Sequence, residues 1–260
     1  MKGLVTACWA ESLKIRRSKI SLITILACLF MIMMMGLMMF ISKNPDLARK
    51  FGLLGTKASL LDINADWITY FGLLNMVIAM AGLIGFAFIT SWVFGREFSD
   101  HTITDLLALP VSRMSIVLSK FMVVGIWCVL LSLISIILGF LSGGIINLAG
   151  WSNEIIFQGV FTFIITSLLT ILLCTPVAFL ASYSRGYLAP ISFVIFTVII
   201  AQFVSILGYA PYFPWAIPAL YSGAAGESVQ LGAISYIIIF LTSISGLIGT
   251  IAWWNIADHT

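Results

Sequence analysis

Residues 121–153, FMVVGIWCVLLSLISIILGFLSGGIINLAGWSN, run for 33 positions without an Asp, Glu, Lys or Arg. A helix crossing a bilayer needs roughly 20 such residues. Apolar and polar positions do not alternate here as they do in the strands of a membrane barrel, so the run reads as a spanning helix. Five further charge-free stretches, 20–42, 67–95, 155–184, 186–226 and 228–257, support the same reading. The longest, 186–226, is broken in its second half by Pro211, Pro214, Pro218, Gly223 and Gly226, so it holds one span followed by an irregular segment. Six spans result, at about 20–41, 67–94, 114–141, 155–181, 187–208 and 231–254.

Composition excludes the other classes. Of 260 residues, 9% are charged and 61% hydrophobic, against about 25% and 45–50% in soluble domains. So few charges cannot coat a water-facing surface, which removes disordered, disulfide-stapled and soluble enzyme folds. The expected fold is an all-α membrane protein, a single transmembrane domain over residues 1–260.

With the N-terminus inside, the inner segments collect nine Lys and Arg (Lys2, Lys14, Arg16, Arg17, Lys19, Arg96, Arg113, Lys120, Arg185) and the outer ones four (Lys43, Arg49, Lys50, Lys57). That bias places both termini in the cytoplasm. The first apolar run is too long for a cleaved signal peptide. Cys8, Cys28, Cys128 and Cys174 show no CxxC spacing and read as small apolar residues. Six methionines between 31 and 39 read as packing or lipid-contact residues rather than metal ligands.

The connecting segments carry more information. Residues 1–19 place Leu4, Val5, Cys8, Trp9 and Leu13 at helical spacing among basic residues, a pattern for a helix in the inner interface; a plain basic flank of the first span is the alternative. The outer loop 42–66 is polar and has room for a short helix. The segment 209–230 combines Pro211, Pro214 and Pro218 with Tyr209, Tyr212, Phe213, Trp215 and Tyr221 without charge up to Glu227. It reads as a re-entrant or interfacial hairpin at the outer face, with Pro211, Phe213, Trp215 and Pro218 as candidates for an outer gate.

The cytoplasmic stretch 94–120, FGREFSDHTITDLLALPVSRMSIVLSK, concentrates charge. Ser99 or Asp100 is placed to cap a short helix over 102–108, Pro110 to stop it, and Ser112 to cap the next helix. Ile103, Leu106 and Leu107 form the short helix's apolar face, either awaiting a partner or lying on the protein's own inner surface.

The pattern FGRE…T…DLLALPVSR…SK resembles the inner loop of permease subunits of ATP-binding-cassette transporters, in the six-span type-2 family that includes bacitracin and lantibiotic export permeases. The resemblance extends in layout over the whole chain. It implies that residues 95–113 form the coupling helix seated on a separate ATPase subunit, with Arg96, Glu97, Asp100, Thr102, Ile103, Leu106, Leu107 and Pro110 at the contact. It further implies a second permease copy, export of a small amphiphilic or peptide-like molecule, and a bacterial cytoplasmic membrane location. ATP and Mg²⁺ would belong to the ATPase, with no cofactor in this chain.

The residues agree. No GxxxxGK[ST] loop is present to cradle a nucleotide, and the six apolar runs carry no ionisable residue for a coupling ion, which argues for a partner's ATP. Catalytic constellations are missing too: His101 and His259 are the only histidines, and there is no HExxH or GxSxG. No catalytic, metal or nucleic-acid site is expected. Inside the membrane, Asn75, Gln158, Thr162, Thr166, Thr170 and Gln202 are candidates for a translocation path, or else for hydrogen bonds joining helices. Ser135, Gly139 and Gly143 make a small-residue ridge for packing within or between subunits. An ion-coupled secondary transporter and a non-transporting immunity or scaffold protein remain as other classes.

Overall fold

The computed structural model describes residues 2–44, 64–108, 110–223 and 231–256. Most of the polar loop after the first span, Leu109, residues 224–230 and the last four residues with His259 lie outside the described residues, as does the side chain of Leu107. Helices α1 (Lys2–Arg17) and α2 (Lys19–Lys43) come first. Then α3 (Trp67–Val77) continues through a π turn (Ile78–Gly82) into α4 (Leu83–Ser99). The short α5 (Ile103–Leu107) precedes α6 (Arg113–Ile146). Helices α7 (Asn153–Leu172) and α8 (Cys174–Tyr183) form one bent rod, followed by α9 (Leu188–Ile206), α10 (Ile217–Tyr221) and α11 (Ala233–Ile256). No strand occurs among the described residues. Six stretches are long and apolar enough to span a bilayer: Lys19–Lys43, Trp67–Ser99, Arg113–Ile146, Asn153–Tyr183, Leu188–Ile206 and Ala233–Ile256.

Several helix ends are closed by side chains, which satisfy backbone groups that have no partner within the helix. Asp66 accepts from the Thr69 amide at 2.8 Å, and Ser112 and Ser152 accept from Ser115 and Ile155 at 3.2 Å each. At C-termini, Lys43 donates to the carbonyls of Ile146 and Asn147 at 2.6 Å, and Arg113 donates to those of Trp254 and Asn255 at 3.1 and 3.2 Å. Both cations face the negative ends of helix dipoles. The expected cap at Ser99 or Asp100 is absent: α4 runs through Ser99, and α5 starts at Ile103 after Thr102 without a side-chain cap bond.

Small residues set the helix spacing. A Cβ at Gly143 would stand 2.5 Å from the Trp67 ring and one at Gly159 2.5 Å from the Phe71 ring, so α3 is seated directly on α6 and α7. Ser135 meets Cys28 of α2 at 3.0 Å. The ridge of Ser135, Gly139 and Gly143 therefore packs helices within this chain.

The bend between α7 and α8 has a specific cause. Pro176 has no amide hydrogen for the carbonyl of Leu172, which instead accepts from the Ser243 hydroxyl at 3.0 Å. Thr175 returns a bond to the Ser243 carbonyl at 2.7 Å. This exchange needs α11 pressed against the bend, and Gly246 permits it: a Cβ there would lie 2.4 Å from the Pro176 nitrogen.

After α9 the chain folds back. Two 3-10 turns (Ala210–Tyr212 and Pro214–Ala216) and α10 place Ala216 and Ile217 in the interior at 1% and 0% exposure. Trp215 meets Phe193 edge-on at 5.4 Å. Phe193 lies 13 residues before the end of α9, a helical rise of about 20 Å, so the segment returns alongside α9 rather than covering its tip.

Gly246→Leu is expected to lower the unfolding temperature sharply and reduce recovered folded protein in detergent, because backbone blocks the new side chain. Gly125→Ala, where no atom lies within 4 Å, is the control expected to be neutral.

Candidate functional site

The second half of α1, the end of α4 and the start of α6 meet around four charges. On α1, Leu4, Cys8, Glu11 and Ile15 recur at the spacing of one helix face, and Glu11 and Ile15 are buried at 5% and 2% exposure. Val5 and Trp9 point outward, at 68% and 65%. The apolar residues of this helix are thus divided between two faces, and an acidic residue sits in the seam against α6.

Glu11 is held there by its partners. Lys120, wholly buried two turns inside α6, donates to Glu97 at 2.9 Å, to Glu11 at 3.2 Å and to the Val93 carbonyl at 3.0 Å. Lys14 donates to the other oxygens of the same carboxylates, at 2.7 Å to Glu11 and 2.9 Å to Glu97. Each carboxylate bridges both ammonium groups, closing a ring of two positive and two negative charges. A buried charge standing alone costs several kcal/mol, whereas a closed neutral ring keeps each charge paired and hydrogen-bonded. Burial works to lower the Lys14 pKa, but the carboxylates of Glu97 and Glu11 outweigh it, and the group is held above its ordinary 10.5. Its contribution to stability is therefore full at neutral pH and is lost only as pH rises past that raised value.

The loop in front of the ring is the segment singled out by sequence. Thr102 hangs its amide on the Glu97 carbonyl at 2.9 Å, and His101 turns the chain with a left-handed φ of 56°. Asp100, Thr102, Thr104, Asp105, Ala108 and Pro110 are exposed. Ile103 is buried at 7%, and Leu106 packs half-buried against the same core. The apolar face of α5 is thus turned onto the protein itself, so the outward surface is polar and acidic. Glu97, expected at an outward contact, faces inward at 3% exposure with both oxygens occupied. Arg96 lies over the Trp92 ring at 4.9 Å and pairs with Asp100 at 3.2 Å. A second inner turn supports this end: a Cβ on Gly95 would lie 2.7 Å from the Gly186 carbonyl, so the α8–α9 turn rests directly on α4.

The other candidates are dispersed. Asn75 and Thr166 are buried, each with a side-chain oxygen lacking a partner, while Thr170 is buried and bonded to the Thr166 carbonyl at 2.8 Å. Thr162 is half-buried; Gln158 and Gln202 are exposed. Pro211, Phe213 and Trp215 are half-buried and Pro218 is buried in the folded-back segment. The described residues contain no group of three or more His, Cys, Asp or Glu placed to hold a metal. Sequence reasoning missed Glu11, Lys14 and Lys120 as a unit with Glu97. Their pairing carried no signal in the sequence, since Lys14 and Lys120 are two of several basic residues near these helix ends and the partners are fixed only when the helices are assembled.

The chain belongs to the ABC-2 family of transporter proteins, whose profile matches residues 7–202. The match takes in the ring of charges and the inner loop. The chain is also 28% identical over 203 residues to the bacitracin transport permease protein BCRB of Bacillus licheniformis, covering 78% of this chain and 98% of the relative.

Removing one member of the ring leaves the opposite charge buried. Lys120→Met is expected to cost about 3–5 kcal/mol in reversible unfolding, and exposed Asp100→Asn at most about 1 kcal/mol. A Lys120→Met protein as stable as the parent would show that the ring holds nothing together.

Proposed function

We propose that the chain is the membrane subunit of an ATP-driven exporter in the bacterial cytoplasmic membrane, with both termini in the cytoplasm. It works with a separate ATPase subunit and a second permease copy. Its substrate is a small amphiphilic or peptide-like molecule of the antibiotic or lantibiotic kind, in keeping with the named activity of the bacitracin relative. ATP and Mg²⁺ are handled by the ATPase; this chain supplies the path.

The observation that carries the reading is the elbow between α4 and α6, which exposes Asp100, Thr102 and Asp105 and hangs from the Glu97 carbonyl in front of the ion ring. A push on an exposed loop moves a distant helix only if the loop cannot yield locally. Here the loop hangs from the Glu97 carbonyl, Glu97 is locked to Lys120 of α6, and both are locked to α1. Displacement of the elbow therefore moves the inner ends of three helices together. Asp100, Thr102, Asp105 and Pro110 form the contact with the ATPase, Ile103 and Leu106 shape the elbow from below, and Glu97 acts as a positioning residue. Leu107 belongs to the same elbow.

At the other end, Pro211, Phe213, Trp215 and Pro218 form the outer gate. Trp215 wedges against Phe193 of α9, so tilting α9 withdraws or seats the segment. Asn75, Thr162, Thr166 and Thr170, with the outward-facing Gln158 and Gln202, are the polar positions from which the path is drawn. Asn75 and Thr166 each keep a buried side-chain oxygen without a partner, which a polar group of the substrate would satisfy once the helices part.

The test reverses charge where the surface is exposed and the fold does not depend on it. Asp100→Lys with Asp105→Lys is expected to leave insertion and helical content intact, to lose capture of the ATPase from mild-detergent extracts, and to abolish permease-stimulated ATP hydrolysis. Undiminished capture and stimulation would remove the elbow from the interface. Independently, Thr104→Cys should react with an impermeant thiol reagent only from the cytoplasmic side.

A further inference from the structure

Helix α2 packs on α3 and α6, while its contact with α4 is slight. The inner half of the first two spans therefore parts into a cleft, and α4 walls two compartments along it, a deeper one shared with α2 and one nearer its end shared with α1 and Ser18. The deeper one is an apolar cavity of about 280 Å³, walled by Ile23 and Ala27 of α2, Gly85 and Phe88 of α4 and Leu131 of α6. Its few polar groups face inward: Thr24 bonds the Ile20 carbonyl at 2.9 Å, and Ser135 bonds the Leu131 carbonyl at 2.9 Å as well as Cys28. No donor is left for a polar guest, so only a hydrocarbon suits it.

The second compartment, about 510 Å³, opens between the end of α1, the extended Ser18 and the end of α4, among Lys14, Arg17, Ser18, Trp92, Arg96 and Asp100. Along α4, Trp92 follows Ile89 of the apolar cavity by three residues and Arg96 follows it by seven, helical separations of about 5 and 10 Å. Charge decides what enters. The ring of Glu11, Lys14, Glu97 and Lys120 is neutral, and Arg96 and Asp100 offset one another. Arg17, which makes no ion pair among the described residues, is the surplus charge at the mouth, flanked by exposed Arg16 and Lys19. Arg96 engages Asp100 through Nε, leaving its terminal nitrogens available. Trp92 lies seven residues before the end of α4, in the last two turns of its span, a part of a spanning helix where indole rings are enriched.

We propose that this cleft is a binding site for one anionic phospholipid of the inner leaflet, its phosphate between Arg17 and Arg96 and one acyl chain in the apolar cavity. The leaflet rests on the cytoplasmic placement of the N-terminus; the binding itself does not depend on an ATPase partner. A bound lipid fills the gap between the first two spans where protein contact is weakest, so occupancy couples the membrane's anionic content to the seating of α1 and the elbow.

The test is native mass spectrometry of the purified full chain in detergent with phosphatidylglycerol or phosphatidylcholine of identical chains. Phosphatidylglycerol is expected to remain bound and phosphatidylcholine not, and glycerol 3-phosphate, which carries the headgroup without tails, is expected not to compete. Arg17→Gln should lower phosphatidylglycerol occupancy about fivefold. Gly85→Phe, built into open space facing the cavity, should lower it by filling the acyl compartment; Ile84→Trp serves if that variant does not fold. Equal retention of both lipids, competition by glycerol 3-phosphate, or unchanged retention in the arginine or cavity-filling variant overturns the proposal. None of these readouts involves ATP hydrolysis, so failure of ATPase capture would sink the transporter reading and leave this one standing.

Discussion

Two carboxylates and two ammonium groups, closed into a ring of which only Lys14 reaches the surface, join α1, α4 and α6 of this protein. Hydrocarbon surfaces on neighbouring helices slide past one another at little cost in a bilayer, because lipid is as good a neighbour as leucine. A buried ion ring is different: any displacement that opens it strands a charge. Glu11, Lys14, Glu97 and Lys120 thus convert three helices that would pack loosely into one body at the level where the elbow emerges.

The same principle recurs in neutral form at the bend of the fourth span. Pro176 frees a backbone carbonyl that cannot remain unpaired in the membrane, and Ser243 of the last span satisfies it. Gly246 brings the two backbones close enough for this. The last span, ending beside Arg113 and the elbow, is thereby tied to the middle of the fourth. Rigid joints at the inner face and at this bend contrast with the parted cleft between the first two spans, where the wall is apolar and contact is slight.

Much of the candidate site was legible in part. The break at Pro110, the cap at Ser112 and the charged loop between spans two and three are local features, governed by neighbours in sequence. The sense of α5 was not. Ile103 and Leu106 form the apolar face their spacing indicates, but periodicity says only that a face exists, not whether protein or partner covers it. Glu97 misled for a related reason: a charge at the end of an apolar run marks the end of the charge-free stretch, and the helix continued past it, carrying the carboxylate into the interior.

Sequence alone determined that the chain is helical, crosses the membrane six times and leaves its charges at the ends of the spans, because hydrocarbon tolerates neither open backbone nor unpaired charge. It likewise determined where the chain must break, since proline cannot donate a hydrogen bond in any context. Only the tertiary structure decided which charges meet, which face of the elbow is covered, and that the proline-rich segment folds back along α9 to reach Phe193. Those outcomes depend on the rotation and depth of each helix relative to its neighbours, quantities set by the sum of many weak side-chain contacts between residues as far as 142 positions apart.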